Sequence, residues 1–150
     1  FSKERFKVFH PGGNIGQTLL LVKDIMITGN KLPVVNVSKS IYDATRVIDQ
    51  KKLGLVVVME NKQVKGILTD GDARRGIKYY SKDDHLKKFM TPNPLFISES
   101  VPASKALSLM NEKKITSLLV TSEKDYRKSK TAKKLKGLVH IHSLLQYGIK

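Results

Sequence analysis

The run Gly66-Ile67-Leu68-Thr69-Asp70-Gly71-Asp72-Ala73-Arg74-Arg75 places a hydroxyl, carboxylates and guanidiniums directly behind an apolar, strand-forming segment. A carboxylate has two acceptor oxygens that can take both hydroxyls of a cis-diol, so Asp72 suits a ribose. Thr69 and free amides at the start of the following helix can hold a phosphate, with Arg74 or Arg75 compensating its charge. The same residues also have a purely structural reading, in which Asp70-Gly71 forms a turn and Asp72 caps a helix. Local chemistry alone leaves both readings open.

The frame recurs in degraded form at Gly137-Leu138-Val139-His140-Ile141-His142-Ser143-Leu144-Leu145, which marks a duplicated unit. Thr116, Ser117, His140 and Ser143 occupy the equivalent places, and a neutral imidazole can still donate to a phosphate or a ring acceptor. His140 and His142 alternate on an expected strand end, a pattern that suggests a metal. Two histidines are too few for a closed zinc site and no carboxylate lies close in sequence, so the expectation is no metal and a polar strand end. Gly12-Gly13-Asn14-Ile15-Gly16 lacks the Lys-Ser/Thr of a P-loop and the spacing of a dinucleotide fingerprint, and reads as a flexible turn.

The elements that must position these residues also come in pairs. Ile41, Ala44, Thr45 and Ile48 fall at helical spacing, and Ala103, Ala106, Leu107 and Met110 repeat them at a constant offset, with Ser38 and Ser100 as matching N-caps. Each helix is followed by an apolar run too short for a helix, Leu55-Val56-Val57-Val58-Met59 and Leu118-Leu119-Val120, which predicts buried strands. Glu60 to Gln63 predicts a hairpin turn into Val64-Lys65-Gly66-Ile67-Leu68, and a short helix starts near Asp72 and near Ser143. The matching break in the second copy runs from about Thr121 to Lys136, and its lysine-rich stretch predicts a solvated, mobile hairpin tip. Each copy thus reads β-α-β-β-α, an α/β unit led in by Lys31 to Val37 or by Pro94 to Ser98, with a polar linker from Tyr79 to Lys88. Two such copies are expected to pack about a pseudo-two-fold axis, with ligand sites in the clefts between them.

Composition narrows the functional classes. The chain has 150 residues, 40% apolar, enough for one compact domain or two fused halves. It has no cysteine, which excludes disulfides and thiolate metal sites and fits the cytoplasm. No apolar run approaches the ~20 residues that span a bilayer, so no membrane partner is expected. The formal charge of +15 raises the question of nucleic acid, but the cations are mostly lysine. The arginines that fork onto phosphates and guanine edges are few, and scattered lysines fit a solubility feature better than a nucleic-acid partner. The start Phe1-Ser2-Lys3-Glu4-Arg5 resembles no signal peptide and suggests a piece of a longer protein.

The Gly-apolar-apolar-Thr-x-x-Asp segment from Gly66 to Asp72, with its echo, resembles a tandem pair of CBS domains, a regulatory module that binds adenosine and other nucleotides. Phe9-His10-Pro11-Gly12-Gly13-Asn14-Ile15-Gly16, Leu19-Leu20, Val22-Lys23-Asp24-Ile25-Met26 and Thr69 to Arg75 together resemble the C-terminal part of D-arabinose 5-phosphate isomerases. That family joins a sugar-isomerase domain to a CBS pair and converts D-ribulose 5-phosphate to D-arabinose 5-phosphate for Kdo and lipopolysaccharide synthesis. The resemblance implies a remnant of the isomerase domain and linker over 1–22, one CBS domain over 23–80 and a second over 81–150. His10 matches the family's active-site histidine, but the chain alone is not expected to be catalytic.

In such pairs the lead-in backbone commonly lines the base pocket, which points to Pro33, Val35, Thr91 and Pro94; equally, the prolines simply fix extended lead-ins. The implied role is a nucleotide sensor that requires no cofactor, takes CMP-Kdo, AMP or ATP, pairs into a homo-oligomer and acts on the isomerase domain of its parent chain. The rival is a structural, oligomerising module without ligand. Three departures from the family pattern bear on this. Ser143 stands where the second copy commonly has Asp, Ala73 replaces a larger aliphatic, and the second hairpin carries the lysine-rich insertion.

Overall fold

The structure is a computed structural model that describes residues 20–79, 85–128 and 134–150. His10, the glycine run at 12–16 and five residues of the lysine-rich insertion, 129–133, lie outside the described residues. In chain order the elements are α1 (Val22–Ile25), a 3-10 turn (Gly29–Lys31), β1 (Val34–Asn36), α2 (Ile41–Lys51), β2 (Leu55–Glu60), β3 (Gln63–Thr69) and α3 (Asp70–Lys78). Then follow α4 (Leu86–Phe89), β4 (Thr91–Pro92), β5 (Phe96–Ser98), α5 (Ala103–Lys113), β6 (Ser117–Thr121), α6 (Glu123–Lys128), β7 (Gly137–His140) and α7 (Ile141–Gln146). These residues form two compact units, each with its own small mixed sheet.

The first copy builds a sheet of order β1-β2-β3-β4, with β1 parallel to β2 and the other pairs antiparallel. Leu55 to Val58 are buried at every position, as a central strand covered on both faces must be. β3 alternates instead, burying Val64, Gly66 and Leu68. Asn61 and Lys62 both have positive φ, the conformation a two-residue hairpin turn requires. Val35, Ile41, Ala44, Ile48, Val56, Val58, Leu68, Ala73 and Leu86 make up the core of this unit.

The second copy repeats the plan as β5-β6-β7, with β5 parallel and β7 antiparallel to β6. The helical residues Ala103, Ala106, Leu107 and Met110 are all buried, as their spacing predicts. Helices α2 and α5 end alike, each on a lysine in the left-handed region, Lys52 at φ 60° and Lys114 at φ 57°.

Several expectations need correction. The helices start two residues later than Ser38 and Ser100, on Ser40 and Pro102. Ser40 and Asp43 cap each other reciprocally, at 3.1 Å in both directions, whereas the Ser38 amide is spent on the Asn36 side chain. The last helices begin at Asp70 and Ile141 rather than near Asp72 and Ser143. The start of the insertion is helical rather than a loose tip: α6 is entered through a Ser122 hydroxyl that accepts the Asp125 amide at 3.1 Å, and Glu123 pairs with Arg127 at 2.7 Å.

The linker from Tyr79 to Lys88 already holds the start of α4, whose Leu86 is buried in the core of the first copy's unit. Thr91-Pro92 likewise serves not as a lead-in to the second copy but as the edge strand against β3. The mirror case is Leu20 to Ile27, which belongs to the second copy's unit. Leu20, Val22 and Ile25 sit in its core, and Ile27 exchanges backbone hydrogen bonds with Leu138 at 2.8 and 3.0 Å. Each unit is therefore completed by the lead-in of the other copy.

The two glycines that open the chemical frame explain how these lead-ins fit. A Cβ on Gly66 would lie 2.6 Å from the Thr91 carbonyl oxygen and 2.8 Å from Met90 Sδ. A Cβ on Gly137 would lie 2.6 Å from Met26 Sδ and 2.9 Å from the Ile27 carbonyl oxygen. In both copies the glycine is where a neighbouring backbone comes too close for a side chain.

Candidate functional site

Strand β3 delivers Thr69 to the start of α3, where the chain turns on the polar run noted in the sequence. Thr69 is the N-cap: its hydroxyl accepts the Asp72 amide at 3.2 Å, and the Asp72 Oδ2 accepts the Thr69 amide at 3.0 Å. The Asp72 Oδ1 accepts from the Arg75 guanidinium. Asp72 is nearly buried, at 10% side-chain exposure, while the Arg75 side chain is 65% exposed. The carboxylate is thus turned toward its own main chain and held by one cation, with acceptor capacity left on both oxygens.

Arg74 points elsewhere. It pairs with Asp70 at 2.6 Å on the solvent side, and that carboxylate holds its guanidinium pKa above the ordinary arginine value. A Cβ on Gly71 would sit 3.8 Å from both Arg75 Nη1 and Thr69 Oγ1, in ordinary contact with each. The Asp70 amide is spent on the Gly54 carbonyl at 3.0 Å and the Asp72 amide on Thr69, so the expected free amides reduce to that of Gly71, beside a hydroxyl and a guanidinium that suit an anion.

The second junction is built from weaker donors. His140 takes the capping place of Thr69, its Nδ1 accepting the His142 amide at 3.2 Å, which fixes the neutral tautomer with the proton on Nε2. Burial first, and the neighbouring His142 second, push the His140 pKa below the ordinary histidine value. The two rings meet edge-on, 4.7 Å between centroids, because His142 lies in the first turn of α7 and not on the strand. Among the described residues no group of three His, Cys, Asp or Glu is gathered around a common point. Ser117 lies opposite His140 in the ladder, and its buried hydroxyl has no hydrogen-bond partner among the described residues. The Thr116 carbonyl accepts the Ile141 amide at 2.8 Å, and Ser143 stands at the third position of α7, where α3 has Asp72.

The lead-in residues divide. The Pro33 carbonyl accepts the Val57 amide at 2.7 Å, and Val35 is buried in β1. Thr91 and Pro92 are exposed on β4, and Pro94 precedes β5. A cleft of about 410 Å³ runs along β1 and α2, lined by Val34, Val35, Asn36, Lys39 and Arg46 among others, but its lining includes neither Thr69 nor Asp72.

One polar cluster escaped sequence reasoning. Ser98 and Thr121, both buried, are register partners on β5 and β6, and the Ser98 hydroxyl donates to Glu123 at the start of α6. That bond, then Arg127, holds the Glu123 carboxyl below its ordinary pKa. The Ser98 to Glu123 contact spans 25 residues, and the local signals for α6 are Ser122-x-x-Asp125, a helix-start pattern, and the Glu123–Arg127 spacing.

Comparison with known proteins agrees with this duplicated plan. The CBS domain family model matches residues 22–79 and again 86–150. The chain is 37% identical over 155 residues to "Arabinose 5-phosphate isomerase KdsD" of Yersinia pestis and 36% identical over 153 residues to "Uncharacterized protein RP505" of Rickettsia prowazekii. Each alignment takes in 99% of this chain but 44% of the relative, so the chain spans less than half the length of these curated proteins. Among solved structures it resembles CBSX2 in complex with AMP, at 25% identity, TM-score 0.69 and coverage of 85% of this chain and 95% of that one. It also resembles the CBS domain pair of MJ0100 in complex with 5'-methylthioadenosine and S-adenosyl-L-methionine, at 17% identity, TM-score 0.68 and coverage of 85% and 94%. No helix among the described residues is long and apolar enough to cross a membrane.

Proposed function

We infer what this chain does from one premise: it belongs to the CBS-domain family, as a tandem pair. It is a nucleotide sensor, and its first-copy junction, Thr69 with Asp72 and Arg75, receives the ribose and phosphate of a nucleotide or nucleotide sugar, while Arg74 stays paired with Asp70. The observation that carries the reading is the Thr69-x-x-Asp72 constellation, where a nearly buried carboxylate, a hydroxyl and a guanidinium meet at the start of α3. Ligation of AMP by CBSX2 and of adenosine compounds by MJ0100 supports the ligand class by similarity.

The parent protein is an arabinose 5-phosphate isomerase, and the sensor acts on its catalytic domain. Such an effect requires two states of the parent that differ in affinity for the ligand. CMP-Kdo, the activated sugar of that pathway, combines ribose hydroxyls, a phosphate and a carboxylate, and it and AMP are the two ligands to test first. The second copy, with His140 and Ser143 where the first has Thr69 and Asp72, contributes donors but no carboxylate for a diol.

A second reading, a purely structural module that assembles the parent, draws on one specific observation: both oxygens of Asp72 already have partners within α3 and its cap. A thermal-shift panel separates the two, because a ligand that binds the folded state alone at a hundred times its Kd adds about 2.7 kcal/mol of stability. The sensor reading expects AMP or CMP-Kdo to raise the melting temperature of the native chain and not that of Asp72→Ala. Melting curves of the native chain unmoved by AMP, ATP and CMP-Kdo leave the structural module as the function.

A further inference from the structure

We infer that the Arg75–Asp72 ion pair is a built-in competitor for the ligand, so that this site selects nucleotides over the corresponding nucleosides; the inference rests on the sensor reading above. A ribose diol that bonds the carboxylate in bidentate fashion needs both oxygens. Oδ2 keeps the Thr69 amide through the capping box, and Oδ1 carries Arg75. The diol must therefore share Oδ1 with the guanidinium or draw it away, and either weakens the ion pair.

Of the two partners Arg75 is the one free to move. Its side chain is 65% exposed against 10% for Asp72, and its guanidinium stands at the end of a long stem already in solvent. A guanidinium released from Oδ1 stays near the helix start, since Nη1 already lies 3.8 Å from the point where a Cβ of Gly71 would be, the same distance as Thr69 Oγ1. A phosphate seated over Gly71 gives the cation a new anionic partner and takes the Thr69 hydroxyl as well. A nucleoside offers the cation nothing in exchange, so its diol gains two hydrogen bonds while a charge-assisted one is weakened or lost.

Neighbouring groups do not duplicate the device. Arg74 is committed to Asp70 one turn back on the solvent side. At the second junction Ser143 replaces the carboxylate, and Gln146 stands three residues further on where α3 has Arg75. The selectivity belongs to the first copy alone.

The test is isothermal titration of the full chain with AMP and with adenosine, for the native protein, Arg75→Ala, Arg75→Lys and Asp72→Ala. The expected result is that native protein prefers AMP by about tenfold or more, and that Arg75→Ala brings the two ligands to within about threefold while adenosine binds as well as before or better. Arg75→Lys should keep part of the preference, since it keeps the charge without the fork. If Arg75→Ala weakens both ligands equally, or changes neither, the competitor role is overturned while the sensor reading stands. If Asp72→Ala binds AMP as the native chain does, or the native chain binds neither ligand, the sensor reading fails and takes this inference with it.

Discussion

Replacing Gly66 by alanine tests how each unit is completed. The new Cβ would sit 2.6 Å from the Thr91 carbonyl oxygen, and reaching the 3.4 Å of ordinary contact requires a shift of about 0.8 Å. The obstacle is backbone, so it cannot swing aside as a side chain would. Among the described residues β4 is held to β3 by the Gly66–Pro92 and Ile67–Thr91 pairs, so the strain is relieved by moving β4 outward and loosening Met90 and the buried Leu86 with it. Overpacking of this kind costs about 1–3 kcal/mol, against about 0.5–1 kcal/mol regained because alanine loses less backbone freedom than glycine. A net loss of about 1 kcal/mol lowers the melting temperature of a chain this size by about 2–4 °C. Circular-dichroism melts of Gly66→Ala beside Gly71→Ala make the comparison, since the latter methyl meets nothing closer than 3.8 Å and should cost no stability. A Gly66→Ala protein that melts within about 1 °C of the native chain would refute the claim that the crossing lead-in requires glycine.

Thr69→Ala removes the N-cap hydroxyl of α3 and should cost about 1 kcal/mol in urea denaturation with an unchanged m-value; an unchanged midpoint would mean the cap contributes nothing. Leu144→Ala empties a fully buried site in the second copy's core and should cost about 2–5 kcal/mol by the same assay, so a loss below about 1 kcal/mol would place that residue outside a packed core. His140 has a folded-state pKa below its unfolded value, so the stability of its neutral, capping form is fully present above about pH 6.5 and is lost as pH falls from there through the folded value. Melting temperatures should therefore drop as the pH falls below about 6.5 in the native chain and drop less in His140→Asn, which keeps an uncharged capping acceptor; equal slopes would contradict the assignment.

Much of the plan was legible because it is periodic and doubled. The buried faces of α2 and α5 follow from apolar spacing, and β2 and β6 from apolar runs too short to be helices. The caps were misplaced by two residues because Ser38 and Ser100 match in both copies, while the stronger signal, Ser40-x-x-Asp43, is present in one only. The crossing of Leu20 to Ile27 and of Leu86 to Thr91 into opposite units could not be read. Four-residue helices carry no usable period, and their partners lie far along the chain. The two glycines nevertheless held the clue, since a glycine inside a strand marks a close backbone approach. For α6, Ser122-x-x-Asp125 and the Glu123–Arg127 spacing were local signals outweighed by the density of lysine. Asp72 carried two readings from the start. The capping box accounts for its Oδ2, and the ligand reading turns on Oδ1, which the sequence alone could not assign to Arg75.

The most direct measurement of the sensor claim is a crystal structure of the chain grown with saturating AMP. The account predicts ribose hydroxyls at hydrogen-bond distance from the Asp72 carboxylate, the phosphate over Gly71 and Thr69, and Arg75 turned from Oδ1 onto the phosphate. A complex whose nucleotide lies away from Asp72, or crystals without bound nucleotide and with the Asp72–Arg75 pair intact, would contradict it.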